Sequence, residues 1–138
     1  ILSFTTEEIF KLISKNKKSI HLEKFIEIPK NYSNKKLNDK WKELKKIRDV
    51  CNISIEAKRA SKEIGSSLEA NLCISLSNKM IEYVGNVDFS ELCITSNATI
   101  KETTLNDILV KTTKAKGIKC PVCWKINEHP CSRHSTTQ

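Results

Sequence analysis

From Asn38 to Ala70 the chain reads NDKWKELKKIRDVCNISIEAKRASKEIGSSLEA. Trp41, Leu44, Ile47, Cys51 and Ile55 recur three or four residues apart, the period of one helix face. A second stripe of Val50, Ile53, Ala57, Ala60 and Ile64 predicts a helix covered on two sides. Asn38 is placed to cap the N-terminus, with Asp39 in the first turn, where the helix dipole favours an anion. Lys58, Arg59 and Lys62 lie near the other end, where cations are favoured. Gly65 can adopt the left-handed conformation that stops a helix. The stretch predicts about seven turns, more than most globular helices have.

The sequence has 138 residues, enough for one compact domain, and a net charge of +8. The total discriminates little between polyanions; its distribution says more. Lys30 to Lys62 holds eleven basic and four acidic residues, Glu82 to Asp107 five acidic and one basic, Lys111 to His134 six basic and one acidic. A polyanion is therefore expected on the two outer blocks. No apolar run approaches a membrane span and no secretory pattern is present, so no membrane partner is expected. The chain opens at Ile1 without methionine and is expected to be the C-terminal piece of a longer protein.

On the N-terminal side, Thr5 or Thr6 can cap a helix carrying Glu7 and Glu8 in its first turn and Ile9, Phe10, Leu12 and Ile13 on its apolar side. Residues 15–36 read as loop, with His21 expected as a hydrogen-bonded packing residue and the Lys30–Lys36 run as a solvated connector. Beyond Gly65 the period changes. Leu72, Ile74 and Leu76 alternate, predicting a strand over Asn71–Leu76. Asn78–Val84 reads as a short helix ended near Gly85, Leu92–Thr95 as a second strand, Ile108–Thr112 as a third, and Thr99–Leu105 as a link. Glu91 and Asp107 are expected in solvent. No catalytic spacing appears.

Gly117 opens the other informative stretch. Cys120-Pro121-Val122-Cys123 is a C-x2-C knuckle whose thiolates can reach one tetrahedral ion. After seven intervening residues, Cys131-Ser132-Arg133-His134 repeats the spacing with histidine last. Cys120, Cys123, Cys131 and His134 thus form a Cys₃His set suited to one closed, structural zinc. His129 competes for the fourth place; His134 is preferred because its offset mirrors the first knuckle. A 22-residue tail has no core of its own, so metal would supply its folding energy, on the order of 10 kcal/mol. Cys51, Cys73 and Cys93 stand alone in apolar settings and read as buried thiols, which fits a reducing compartment.

Several of these stretches share their wording with one family. Ile47-Arg48-Asp49-Val50, Ile55-Glu56-Ala57-Lys58-Arg59 and Ile64-Gly65-Ser66-Ser67-Leu68-Glu69-Ala70 resemble the C-terminal region of bacterial-type isoleucyl-tRNA synthetase, a class I aminoacyl-tRNA synthetase. Ile1–Ile13 is similar to the segment before that family's last long helix, with Ser3 where proline is usual and Phe10 where tryptophan is usual. Ser19-Ile20-His21-Leu22 resembles a short motif that follows it. The tail resembles the family's zinc module down to Trp124 after the second cysteine. It departs in carrying His134 for a fourth cysteine and in its short spacer.

The resemblance implies a mixed α+β fold in three parts. Residues 1–65 would end a helical anticodon-binding domain, 66–116 form a small α/β junction, and 117–138 a zinc ribbon. It implies a cytoplasmic, monomeric parent that joins isoleucine to its tRNA using ATP and Mg in a catalytic domain, with an editing domain, both elsewhere in the same chain. HIGH-like and KMSKS-like motifs are absent, so the fragment alone is expected to be inactive. Its partner would be the anticodon region of tRNA(Ile). Trp124 is a candidate platform for an unstacked base, with Lys119, Lys125 and Arg133 on the flanking phosphates. Two other classes compete: a finger that grips DNA, as at the C-terminus of formamidopyrimidine-type glycosylases, and a scaffold in which zinc only staples the tail.

Overall fold

A computed structural model describes residues 2–15, 18–131 and 133–134. The expected boundaries at the two chain ends fall outside these residues. The chain forms two compact units, residues 1–34 and 35–138.

The first unit holds helix α1 (Ser3–Ile13) and two single 3₁₀ turns, Ile20–Leu22 and Lys30–Tyr32. The helix starts before the expected caps: Leu2 is the N-cap, and the Thr6 hydroxyl donates back to the Leu2 carbonyl, 2.8 Å. Glu7 therefore lies beyond the first turn, where its carboxylate accepts from the Ser19 hydroxyl (2.8 Å) and the Ile20 amide (3.0 Å). The Ser19 bond leads in holding the Glu7 carboxyl below its ordinary range. His21 is exposed rather than packed. None of the unit's described residues is buried, and Phe4, Phe25 and Ile26 are open to solvent.

The second unit is organised by helix α2 (Lys35–Ala60). Leu44, Ile47, Cys51 and Ile55 are buried, as the first stripe predicts. The second stripe is covered only at its ends, with Val50 half-buried and Ile64 buried; between them Ile53 is 72% exposed, and Ala57 and Ala60 are exposed too, which corrects the expectation of cover along both sides. One sheet can cover only one helix face, and the second unit has one sheet over α2. Both predicted caps move. The helix begins a turn before Asn38, and Asp39 pairs with Lys42 at 3.1 Å. At the other end Lys62, not Gly65, takes the left-handed conformation, φ 58°. The Glu63 amide reaches the Lys58 carbonyl (3.1 Å) and the Lys62 amide the Arg59 carbonyl (3.0 Å), the paired bonds of a Schellman cap. Lys58 and Glu63 then pair across it at 2.9 Å.

Strand β1 (Ala70–Ser77) alternates strictly, with Ala70, Leu72, Ile74 and Leu76 buried under α2. Helix α3 (Asn78–Val84) ends at Gly85, φ 60°. Where a strand over Leu92–Thr95 is expected, the chain turns through Cys93 and Ile94, φ 55°, at the end of a short helix, α4 (Phe89–Leu92). Asp88 caps it by accepting from the Ser90 (2.8 Å) and Glu91 (3.4 Å) amides, which turns Phe89 and Cys93 into the core. The expected link is itself the second strand: β2 (Asn97–Thr103) runs parallel to β1, and β3 (Leu109–Lys114) antiparallel on its other side, giving the order β2-β1-β3. The α3–α4 segment supplies the crossover a parallel pair requires. Cys51 and Cys93 are buried free thiols, as expected, and the neighbouring Cys93 thiol, with burial, pushes the Cys51 thiol up. Cys73 is half-buried.

Candidate metal centre

Two-residue strands β4 (Ile118–Lys119) and β5 (Ile126–Asn127) form an antiparallel hairpin after Gly117. Gly117 has φ 120°, and a Cβ there would meet the Asn127 carbonyl oxygen at 2.1 Å, so only glycine lets the two strands close. The Cys120 amide donates to the Lys125 carbonyl (2.9 Å) and the Trp124 amide to the Cys120 carbonyl (3.0 Å), folding 120–125 into a knuckle. A second turn mirrors it, the His134 amide donating to the Cys131 carbonyl at 3.0 Å.

The two turns bring one donor atom each from Cys120, Cys123, Cys131 and His134 within 4.8 Å of one another. Cys123 Sγ lies 3.7 Å from Cys131 Sγ, and His134 Nδ1 lies 3.6 Å from Cys120 Sγ and 3.3 Å from Cys131 Sγ. Ordinary zinc bond lengths give tetrahedral edges of about 3.8 Å between sulfurs and about 3.6 Å between sulfur and nitrogen. The spacing therefore fits a tetrahedral ion, and 3.7 Å is far outside disulfide length. Backbone amides of Cys123 and then Val122 aimed at Cys120 bring its thiol down to about 6, a group ready to ligate as thiolate. At Cys123 the Lys125 amide pulls downward, but desolvation and the neighbouring sulfurs leave it raised. His129 is outside this four-residue cluster.

Trp124 follows the second knuckle cysteine with φ 65° and is 60% exposed. Lys119 Nζ sits 5.9 Å from its ring centroid, in cation–π range. The other two sequence-selected cations are differently employed. Lys125 Nζ lies 2.7 Å from Glu91 Oε1, and Arg133 donates to the same oxygen. Glu91 is exposed, as expected, and also fastens the ribbon to α4. The Lys125 and Arg133 hydrogen bonds hold its carboxyl below the usual range. Ser96 adds a relay, its hydroxyl accepting from the Ile126 amide (2.6 Å) and donating to the Leu68 carbonyl. Nothing local in the sequence marks Glu91 or Ser96, because their partners lie about thirty to forty residues away.

These features define a small mixed α+β module ending in a Cys₃His ribbon that fits a structural metal. No family model matches the chain. Its curated relatives are isoleucine–tRNA ligases, as the shared motifs imply. The one from Pelagibacter ubique is 63% identical over 135 residues, 98% of this chain and 15% of that protein. Those from Bartonella henselae and Agrobacterium fabrum are 34% and 33% identical over 93% and 91% of the chain, and each is matched over 14% of its own length. The chain thus spans about 15% of the length of the curated relatives it matches. Among the described residues no helix is long and apolar enough to cross a membrane.

Proposed function

We propose that this chain is the C-terminal, anticodon-side portion of an isoleucine–tRNA ligase, in which a zinc-held ribbon presents Trp124 to the tRNA. The supporting observation is an exposed tryptophan directly after a knuckle cysteine of a tetrahedral donor set, in a chain similar to these ligases over nearly its whole length. Residues 1–65, 66–116 and 117–138 divide the work as bundle end, junction and ribbon. Cys120, Cys123, Cys131 and His134 hold one zinc, whose role is to fix the ribbon's shape. Lys119, and Lys125 and Arg133 once Glu91 releases them, approach the phosphates. Catalysis with ATP and Mg, and editing, belong to other domains of a cytoplasmic, monomeric parent, so this portion alone does not charge tRNA.

Base stacking on Trp124 is worth roughly 1–3 kcal/mol. Trp124→Ala in the full-length parent is expected to raise KM for tRNA about tenfold, with isoleucine-dependent ATP–pyrophosphate exchange and zinc content unchanged. The Glu91 ion pairs favour a second reading, in which the metal and these contacts only staple the tail down. Under it the same variant leaves charging intact.

A further inference from the structure

A cleft of about 870 Å³ opens between the ribbon and the end of the three-stranded sheet that starts β1 and β2. That volume lies in the range of about 300–1,000 Å³ usual for small-ligand sites. Asn71, Asn97 and Thr113 are in register across β2, β1 and β3, so their side chains share the sheet face opposite α2 at that end. All three line the cleft, as does Asn127 of the ribbon. Among the described residues, Asn71 Oδ1 is buried without a hydrogen-bond partner. An unsatisfied buried acceptor is costly, and none of the described residues bonds that oxygen as it stands. Rotation about its broad terminal torsion exchanges oxygen and nitrogen, so Asn71 can offer the cleft an acceptor or a donor.

The lining selects among ligands. Asp88 stands in the same wall, which disfavours a bare anion. Neutral amides and a hydroxyl suit the donor and acceptor edge of a nucleobase, while Lys114 and Lys116 suit the phosphate beside it. Cys123 and Lys125, the neighbours of Trp124, also line the cleft, so a strand stacked on Trp124 has its next nucleotide beside the opening.

We propose that this cleft takes one unstacked base of single-stranded RNA, with Asn71 reading its edge. The proposal rests on the RNA-binding reading given above and adds a second contact to it. The test is a titration of the full, ¹⁵N-labelled chain, prepared with zinc, with the pentanucleotide oligoadenylate and separately with adenosine monophosphate. The side-chain amide of Asn71 is expected to shift with the oligonucleotide. Asn71→Leu, which removes the unsatisfied acceptor, is expected to keep or raise Tm while weakening oligonucleotide binding roughly fivefold. Should leucine lower Tm, Asn71→Ala makes the same comparison. Shifts confined to Trp124, with affinity unchanged by either variant, would overturn the cleft and leave the Trp124 reading standing. No binding at all would remove both. Adenosine monophosphate binding as tightly as the pentanucleotide would make the cleft a free-nucleotide site and overturn the RNA assignment.

Discussion

Trp124 occupies a backbone conformation that a side chain pays about 1 kcal/mol or more to adopt and that glycine adopts freely. The two backbone bonds of the knuckle hold it there, which places a large ring outside the ribbon rather than in a core. The ligand residues themselves were visible as spacing, because each C-x2-C or C-x2-H turn is local and its geometry needs no distant partner. The histidine choice is testable in the same local terms. His134→Cys is expected to keep zinc by restoring a fourth sulfur, and His134→Ala to lower zinc affinity measurably in a chelator competition. His129→Ala should leave it unchanged. Loss of zinc from the His129 variant alone would reverse the assignment.

At the scale of elements, period and composition carried α2 and β1, since each buries a regular set of residues: every second position in β1, every third or fourth in α2; α3 followed from Val84, buried, with Met80 and Ile81 half-buried beside it. They failed where burial is slight or the cap is unusual. In β2 only Ala98 and Thr103 are even half-buried, so no alternation of apolar residues announces the strand. The Leu92–Thr95 run looked extended because the Asp88 cap acts through backbone amides that the apolar pattern does not register. The left-handed stop at Lys62 was displaced from the nearby glycine by a Schellman cap that sets its own register. The two faces of α2 give a clear contrast. Ile47→Ala, on the buried stripe, is expected to cost about 2–5 kcal/mol in denaturant unfolding of this chain. Ile53→Ala is expected to stay within about 0.5 kcal/mol. Equal losses would mean that both faces are covered in solution.

At the scale of the molecule, the ribbon is fastened to the rest of its unit mostly by polar contacts, through Glu91, Ser90 and Ser96. That arrangement was invisible in the sequence, because it depends on the crossover placing α4 beside a tail some thirty to forty residues further on. It also sets a competition: Glu91 holds Lys125 and Arg133, the cations expected to meet phosphate. Glu91→Gln should therefore strengthen low-salt binding to an anticodon stem-loop severalfold. It should also steepen the dependence of log affinity on log salt by about 1.4 to 1.8, since two more cations become free to displace counterions. Zinc content should not change. An unaltered slope would mean that neither cation reaches the RNA.

The measurement that bears on the whole account is the affinity of this chain for a tRNA(Ile) anticodon stem-loop, taken with zinc bound and again after chelation at the same salt. If the metal shapes the ribbon that holds the RNA, chelation weakens binding at least tenfold and readdition of zinc restores it. Equal affinity in the two states, with the unfolded ribbon confirmed by protease cleavage, would contradict it.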